Sequence, residues 1–138
     1  MTVSVGHGSG VIDTAWTDAL VAHIRAKVTI DRSYNVPLAG GISQDGRTVY
    51  VDRAIPDDYD PYLAVHEFVE KQLLDAGIPY LPAHAVATAA ELAAVKDDGI
   101  DVDDYDAFWD RWEKVAAKHQ LGDDTPPDIE KKPYTETT

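Results

Sequence analysis

The chain has 138 residues, no cysteine, and 12 basic against 25 acidic side chains, a formal charge of −13. That length suits one domain burying about two thirds of its unfolded surface, and the charge repels phosphate backbones and anionic lipid headgroups, which disfavours nucleic acid and membrane as partners. Disulfides and thiolate ligands are excluded, so any metal site must be built from His and carboxylate.

The opening "MTVSVGHGSGVIDTAW" lacks the positive and continuous apolar regions of a signal peptide, and no window approaches the roughly 18 apolar residues of a membrane span, so the sequence reads as cytoplasmic. "GHGSG" around His7 has neither the Lys of a phosphate loop nor the spacing of a nucleophile elbow and reads as a terminus without structure. Asp13 can cap a helix running to about Lys27, with Trp16, Leu20, His23, Ile24 and Lys27 on one side; His23, at the border of that stripe, reads as a structural histidine.

"KVTIDRS" and "RTVYVDRAI" are β-branched and aromatic runs, and Asp45-Gly46 supplies a turn signal, predicting two or three antiparallel strands. Val49 and Val51 alternate with Tyr50 and Asp52, so one face should pack on helices while the other meets water. Pro56 ends the strand.

Three further helices are expected, over about 61–76 with Pro61 in the first turn, 82–97, and 103–119, closed by Gly77 with Pro79 and by Gly99. The last carries Tyr105, Phe108, Trp109, Trp112, Val115, Ala116 and His119 at helical spacing, a core stripe. "KDDGIDVDDYD" is rich in Asp, yet has no Gly at the sixth position from Asp101 and Trp112 at the twelfth, which argues against a calcium loop and favours capping by Asp101 or Asp103. The predicted fold is therefore α+β, about four helices packed on a small antiparallel sheet, in one domain over 1–121. Residues 122–138 form an acidic, Pro-rich tail that hugs the surface or stays disordered and adds about 1 kcal/mol or less.

The chemistry lies in "PYLAVHEFVEKQLLDAGIPYLPAHAVATAAE", residues 61–91. His66 and Glu70 are four apart on one helix face. The turn centres near Gly77, and 77 − 70 equals 84 − 77, so an antiparallel return puts His84 level with Glu70. Glu91, seven residues on, serves as a fourth ligand or as the carboxylate orienting His66 through its other ring nitrogen. His66, Glu70 and His84 make a two-His, one-carboxylate set with open coordination positions; zinc is the first expectation, with manganese and iron open. The plain alternative is a network of ion pairs, with Glu67 and Lys71 as a surface i, i+4 pair.

"HEFVE" resembles the H-E-x-x-H helix of zincin metallopeptidases, in which two histidines bind zinc and the intervening Glu activates the metal's water; the likeness covers about residues 46–91. It implies a minimal zincin-like fold, His66 as ligand, Glu67 as catalytic base, and an upstream strand, "RTVYVDR", offering its edge to extended peptide. Glu70 stands where the family has its second histidine, so Glu70 and His84 would be a permuted His, His, Glu set. The same stretch is similar in style to small uncharacterised bacterial and phage-associated proteins, which implies no activity. The expected function is a metal-dependent hydrolase of peptide or small amide substrates. The alternative is a non-enzymatic interaction or phage-associated assembly module in which these groups only fix helix packing.

Overall fold

The computed structural model describes residues 14–36, 39–118 and 124–130. His7, Asp13, His119 and the remaining tail residues, for which capping, core or tail roles are expected above, lie outside the described residues. Among the described residues the architecture is α+β: α1 (Thr14–Lys27), β1 (Thr29–Asp31), β2 (Gly40–Ile42), β3 (Thr48–Val51), a 3-10 turn (Asp57–Tyr59), then α2 (Asp60–Asp75), α3 (Tyr80–Asp97) and α4 (Val102–Ala116). No described helix is long and apolar enough to cross a membrane.

Asp45 and Gly46 turn the chain between β2 and β3 as their sequence predicts. Gly46 takes φ +76°, and the Ser43 hydroxyl donates to Asp45 Oδ1 at 2.6 Å while accepting from the amides of Arg47 and Thr48. The sheet differs from the expected antiparallel one. β3 inserts between β1 and β2, and although β2 is antiparallel to it, β1 runs parallel in the register Thr29↔Thr48. Periodicity shows that a segment is extended but not its pairing partner, so this crossover left no local mark. With both sides of β3 occupied, the strand ahead of α2 has no edge to offer a peptide, contrary to what the zincin resemblance implies.

Both faces of β3 are covered. Val49 and Val51 are buried as expected, but so are Tyr50 and Asp52, for which water was expected. Tyr34 packs edge-on against Tyr50, whose hydroxyl donates to Asp128, and Asp52 accepts from the amides of Val36 and Ala54. A Tyr/Asp alternation looks solvent-facing until loops supply partners for the phenol and the carboxylate. Part of that cover is the tail. Ile129 bridges Ser43, the Glu130 amide donates to the Ile42 carbonyl, and the Glu130 carboxylate holds the buried Lys71. Residues 124–130 therefore lie against the sheet and α2, the surface-hugging form of the expected tail.

On α1 the buried face is Thr17 and Ile24 with Leu20 and Val21 beside them, whereas Trp16, expected on the apolar side, is exposed and His23 lies outside, edge-on to Phe68. α2 packs between the sheet and α3. It has Pro61 in its first turn and ends in a Schellman turn, with Gly77 at φ +91° and the Ile78 amide bonded to the Leu73 carbonyl. α3, starting two residues earlier than expected, ends the same way at Gly99, and Asp101 caps α4 by accepting from the amides of Asp103 and Asp104. Ala83, Ala87, Ala90 and Ala94 face inward along α3. Such small residues let two helices approach closely, which is why side chains from α2 and α3 can meet across their seam.

Candidate metal centre

The helical repeat decides what meets. His66 and Glu70 stack one turn apart on the inner face of α2, and the tight Gly77 turn brings α3 back antiparallel with His84 level with Glu70. Glu70 is the most buried acidic side chain of the group, at 1% exposure. A carboxylate so placed is costly unless compensated. Its Oε2 accepts from His84 Nδ1 at 2.8 Å and lies 3.3 Å from His66 Nε2. The two imidazoles meet edge to face with centroids 4.8 Å apart, and Tyr80 stacks on His84.

His66, Glu70 and His84 each offer one ligand atom, all within 4.8 Å of one another, so this group could hold a metal ion. Donor atoms around a tetrahedral ion with bonds of 2.0–2.1 Å lie about 3.3 Å apart. The His66–Glu70 separation already matches, the His84–Glu70 contact has to open by about half an ångström, and the third pair, His66 and His84, held only within 4.8 Å, has to close. Glu91, the fourth expected ligand, does not join the convergent atoms. Seven residues of helix carry it about 10 Å past His84, where its Oε1 accepts from His66 Nδ1 at 2.8 Å. It stands in the orienting place, fixing the ring so that Nε2 faces Glu70.

The sequence reading missed what lies behind Glu91. Tyr105 of α4 donates its hydroxyl to Glu91 Oε2, completing a chain Tyr105–Glu91–His66–Glu70–His84. Counting around residue 98 pairs Glu91 with Tyr105 just as counting around Gly77 pairs Glu70 with His84. That signal was present, but Tyr105 is also a core aromatic, 1% exposed, and was read only as one.

These contacts set the protonation states. Burial alone would lower the His66 pKa, but hydrogen bonds to Glu70 and Glu91, aided by the nearby Glu67 charge, outweigh it and push it up to about 9. Burial and the Glu91 charge hold Tyr105 protonated far above the usual phenol range. The raised pKa favours the protonated His66 ring in the absence of a metal, and a divalent ion would compete with that proton.

Glu67 is 5% exposed and lines, with His66, Glu70, His84, Thr88 and Trp109, a cavity of about 560 Å³ that also reaches Gly40 of β2. It is not the surface partner of Lys71, which bonds Asp75 and Glu130 instead. The outer carboxylates Asp106, Asp110 and Glu113 of α4, which the sequence did not single out, complete the wall. The chain matches no family model, no curated protein and no solved structure.

Proposed function

We propose that the protein is a metal-dependent hydrolase of peptide or amide bonds, acting in the cytoplasm, with zinc as the first ion to test and manganese and iron next. The observation that carries this reading is the convergence of His66, Glu70 and His84 at the wall of a cavity that Glu67 also lines. A divalent ion in that set would lower the pKa of its water and polarise a carbonyl. His66 and His84 would hold it as neutral imidazoles, with Glu91 and Tyr105 fixing the His66 ring. Glu67, about 100° around the helix from His66, would take the water's proton and return it to the leaving amine.

The zincin likeness supports the roles of His66 and Glu67, with Glu70 and His84 as the permuted remainder. One observation favours the alternative, a non-enzymatic interaction or phage-associated assembly module: the same polar groups already form a continuous chain of three hydrogen bonds and the His66–Glu70 ion-pair contact, as a purely structural network would. Glu67→Gln separates the two. On the hydrolase reading it keeps metal content and melting temperature while turnover of a peptide library falls about 10²–10⁴-fold. A metal-loaded parent that is inert across the library, with the variant indistinguishable from it, would leave the interaction module.

A further inference from the structure

Two side-chain sets line the cavity, the metal-capable group on α2 and α3 and an outer wall on α4, and their charge is mostly negative, with the His66 ring as the cation set among them. Six lining residues are carboxylates, Glu67, Glu70, Glu91, Asp106, Asp110 and Glu113, and none of the lining residues among those described is Lys or Arg. This is not simply the overall acidity of the chain repeated. α4 carries Arg111 and Lys114 as well, yet its charged residues that turn to the cavity, at i, i+4 and i+7 beside Tyr105 and Trp109, are all acidic, while Arg111 lies over the Trp112 ring. The wall they form is about 10 Å long, the reach of a peptide residue and its long side chain.

Partial desolvation and the neighbouring Asp110 and Glu91 push the Glu113 carboxyl up, as expected where like charges share a space with too few cations. Behind that wall the Trp109 Nε1, buried near the Tyr105 hydroxyl, has no hydrogen-bond partner among the described residues. A ligand that brings a positive group to the carboxylates would relieve their repulsion.

We infer that the cavity selects a peptide carrying a positively charged group next to the bond presented to His66 and His84, with Asp106, Asp110 and Glu113 setting the preference. This rests on the cavity being the peptide site of the proposed hydrolase. A neutral bound ion-and-ligand pair would leave the wall's repulsion in place, and an acidic peptide would add to it; a lysine or arginine side chain, or a free amino-terminus, relieves it. The attraction acts across a partly solvated wall and so weakens with salt.

The experiment is equilibrium binding of pentapeptides to the full chain by calorimetry, with zinc and with chelator. The probes are acetylated, amidated Ala-Ala-X-Ala-Ala with X as Lys, Gln or Glu, and the Gln peptide with its amino-terminus free. The lysine peptide or the free-amine peptide, whichever places its charge at the wall, should bind at least tenfold tighter than the blocked Gln peptide, and the Glu peptide most weakly. The double variant Asp110→Asn with Glu113→Gln, both on the solvent-facing side of α4, should keep the melting transition and lose that discrimination. Equal binding of all probes, no binding of any, or discrimination that survives the double variant would overturn the inference. A charge preference without zinc uptake or cleavage sinks the hydrolase reading alone; zinc uptake with equal cleavage of all probes sinks only this one.

Discussion

Raising the pH of the chelator-treated protein from 6.5 to 9 should destabilise it, because one buried proton holds the centre together. His66 is the group concerned, held near pKa 9 against an ordinary 6.5 by Glu70 and Glu91. A cationic acid whose folded pKa is raised contributes stability that is fully present below its unfolded value and lost as pH climbs through its folded value. The span of about 2.5 in pH is worth roughly 3 kcal/mol at 1.36 kcal/mol each. For a domain of this size that corresponds to roughly 10 °C in melting temperature. Glu67 and Glu70 of α2, His84 and Glu91 of α3, and Glu113 of α4 face this ring and share its field. The raised phenols Tyr50, Tyr62 and Tyr105, and Lys71, lose their contributions only above about pH 10, so of these groups only the imidazole acts inside the window. Thermal melts followed by circular dichroism, with the His66 ring titrated by NMR, measure both halves. A melting temperature flat from 6.5 to 9, or a ring that titrates at or below 6.5, would refute the reasoning.

Three further outcomes follow from particular contacts. Gly40→Ala sets a Cβ 2.5 Å from Leu63 Cδ2 in the cavity floor, so overpacking should cost about 1–3 kcal/mol, and an unchanged urea midpoint would contradict it. Deleting residues 124–138 removes the Asp128 partner of Tyr50 and the Glu130 partner of buried Lys71, and should cost more than about 2 kcal/mol at charge-assisted hydrogen-bond strength, where the sequence alone predicts about 1 or less. Glu91→Gln should leave a metal site in place but weaken its affinity about 10–100-fold, since it removes only the carboxylate behind His66; loss of all binding would make Glu91 a ligand.

The sequence was most legible where the chain is punctuated. Gly77, Pro79 and Gly99 mark the ends of α2 and α3, and once those turns are tight, helical geometry alone places Glu70 opposite His84. The pairing of strands was illegible because β1 and β3 are brought together across an intervening strand, and no local pattern records that. Burial was misread wherever a polar or amphipathic side chain found a distant partner. Asp52 accepts from Val36, Tyr50 donates to Asp128, and Lys71 pairs with Glu130 rather than with Glu67. Trp16 failed in the opposite direction, a large aromatic left 48% exposed because Thr17, one position on, takes the inward place on α1. Within the site, the inner ring was readable from spacing; Tyr105 was hidden by its second role in the core, and the acidic wall of α4 by its likeness to any solvated helix face.

The most direct test of a metal centre at His66, Glu70 and His84 is a competitive zinc titration of the full chain, purified without a metal-affinity tag and stripped with chelator. One zinc should bind per chain, with proton release below pH 9 as His66 gives up its proton. His84→Ala and Glu70→Gln should each abolish or strongly weaken binding, and His23→Ala, on the outer face of α1, should not. A stoichiometry near zero for zinc, and for manganese and iron tried in the same way, would contradict the account and leave the polar chain as a purely structural network.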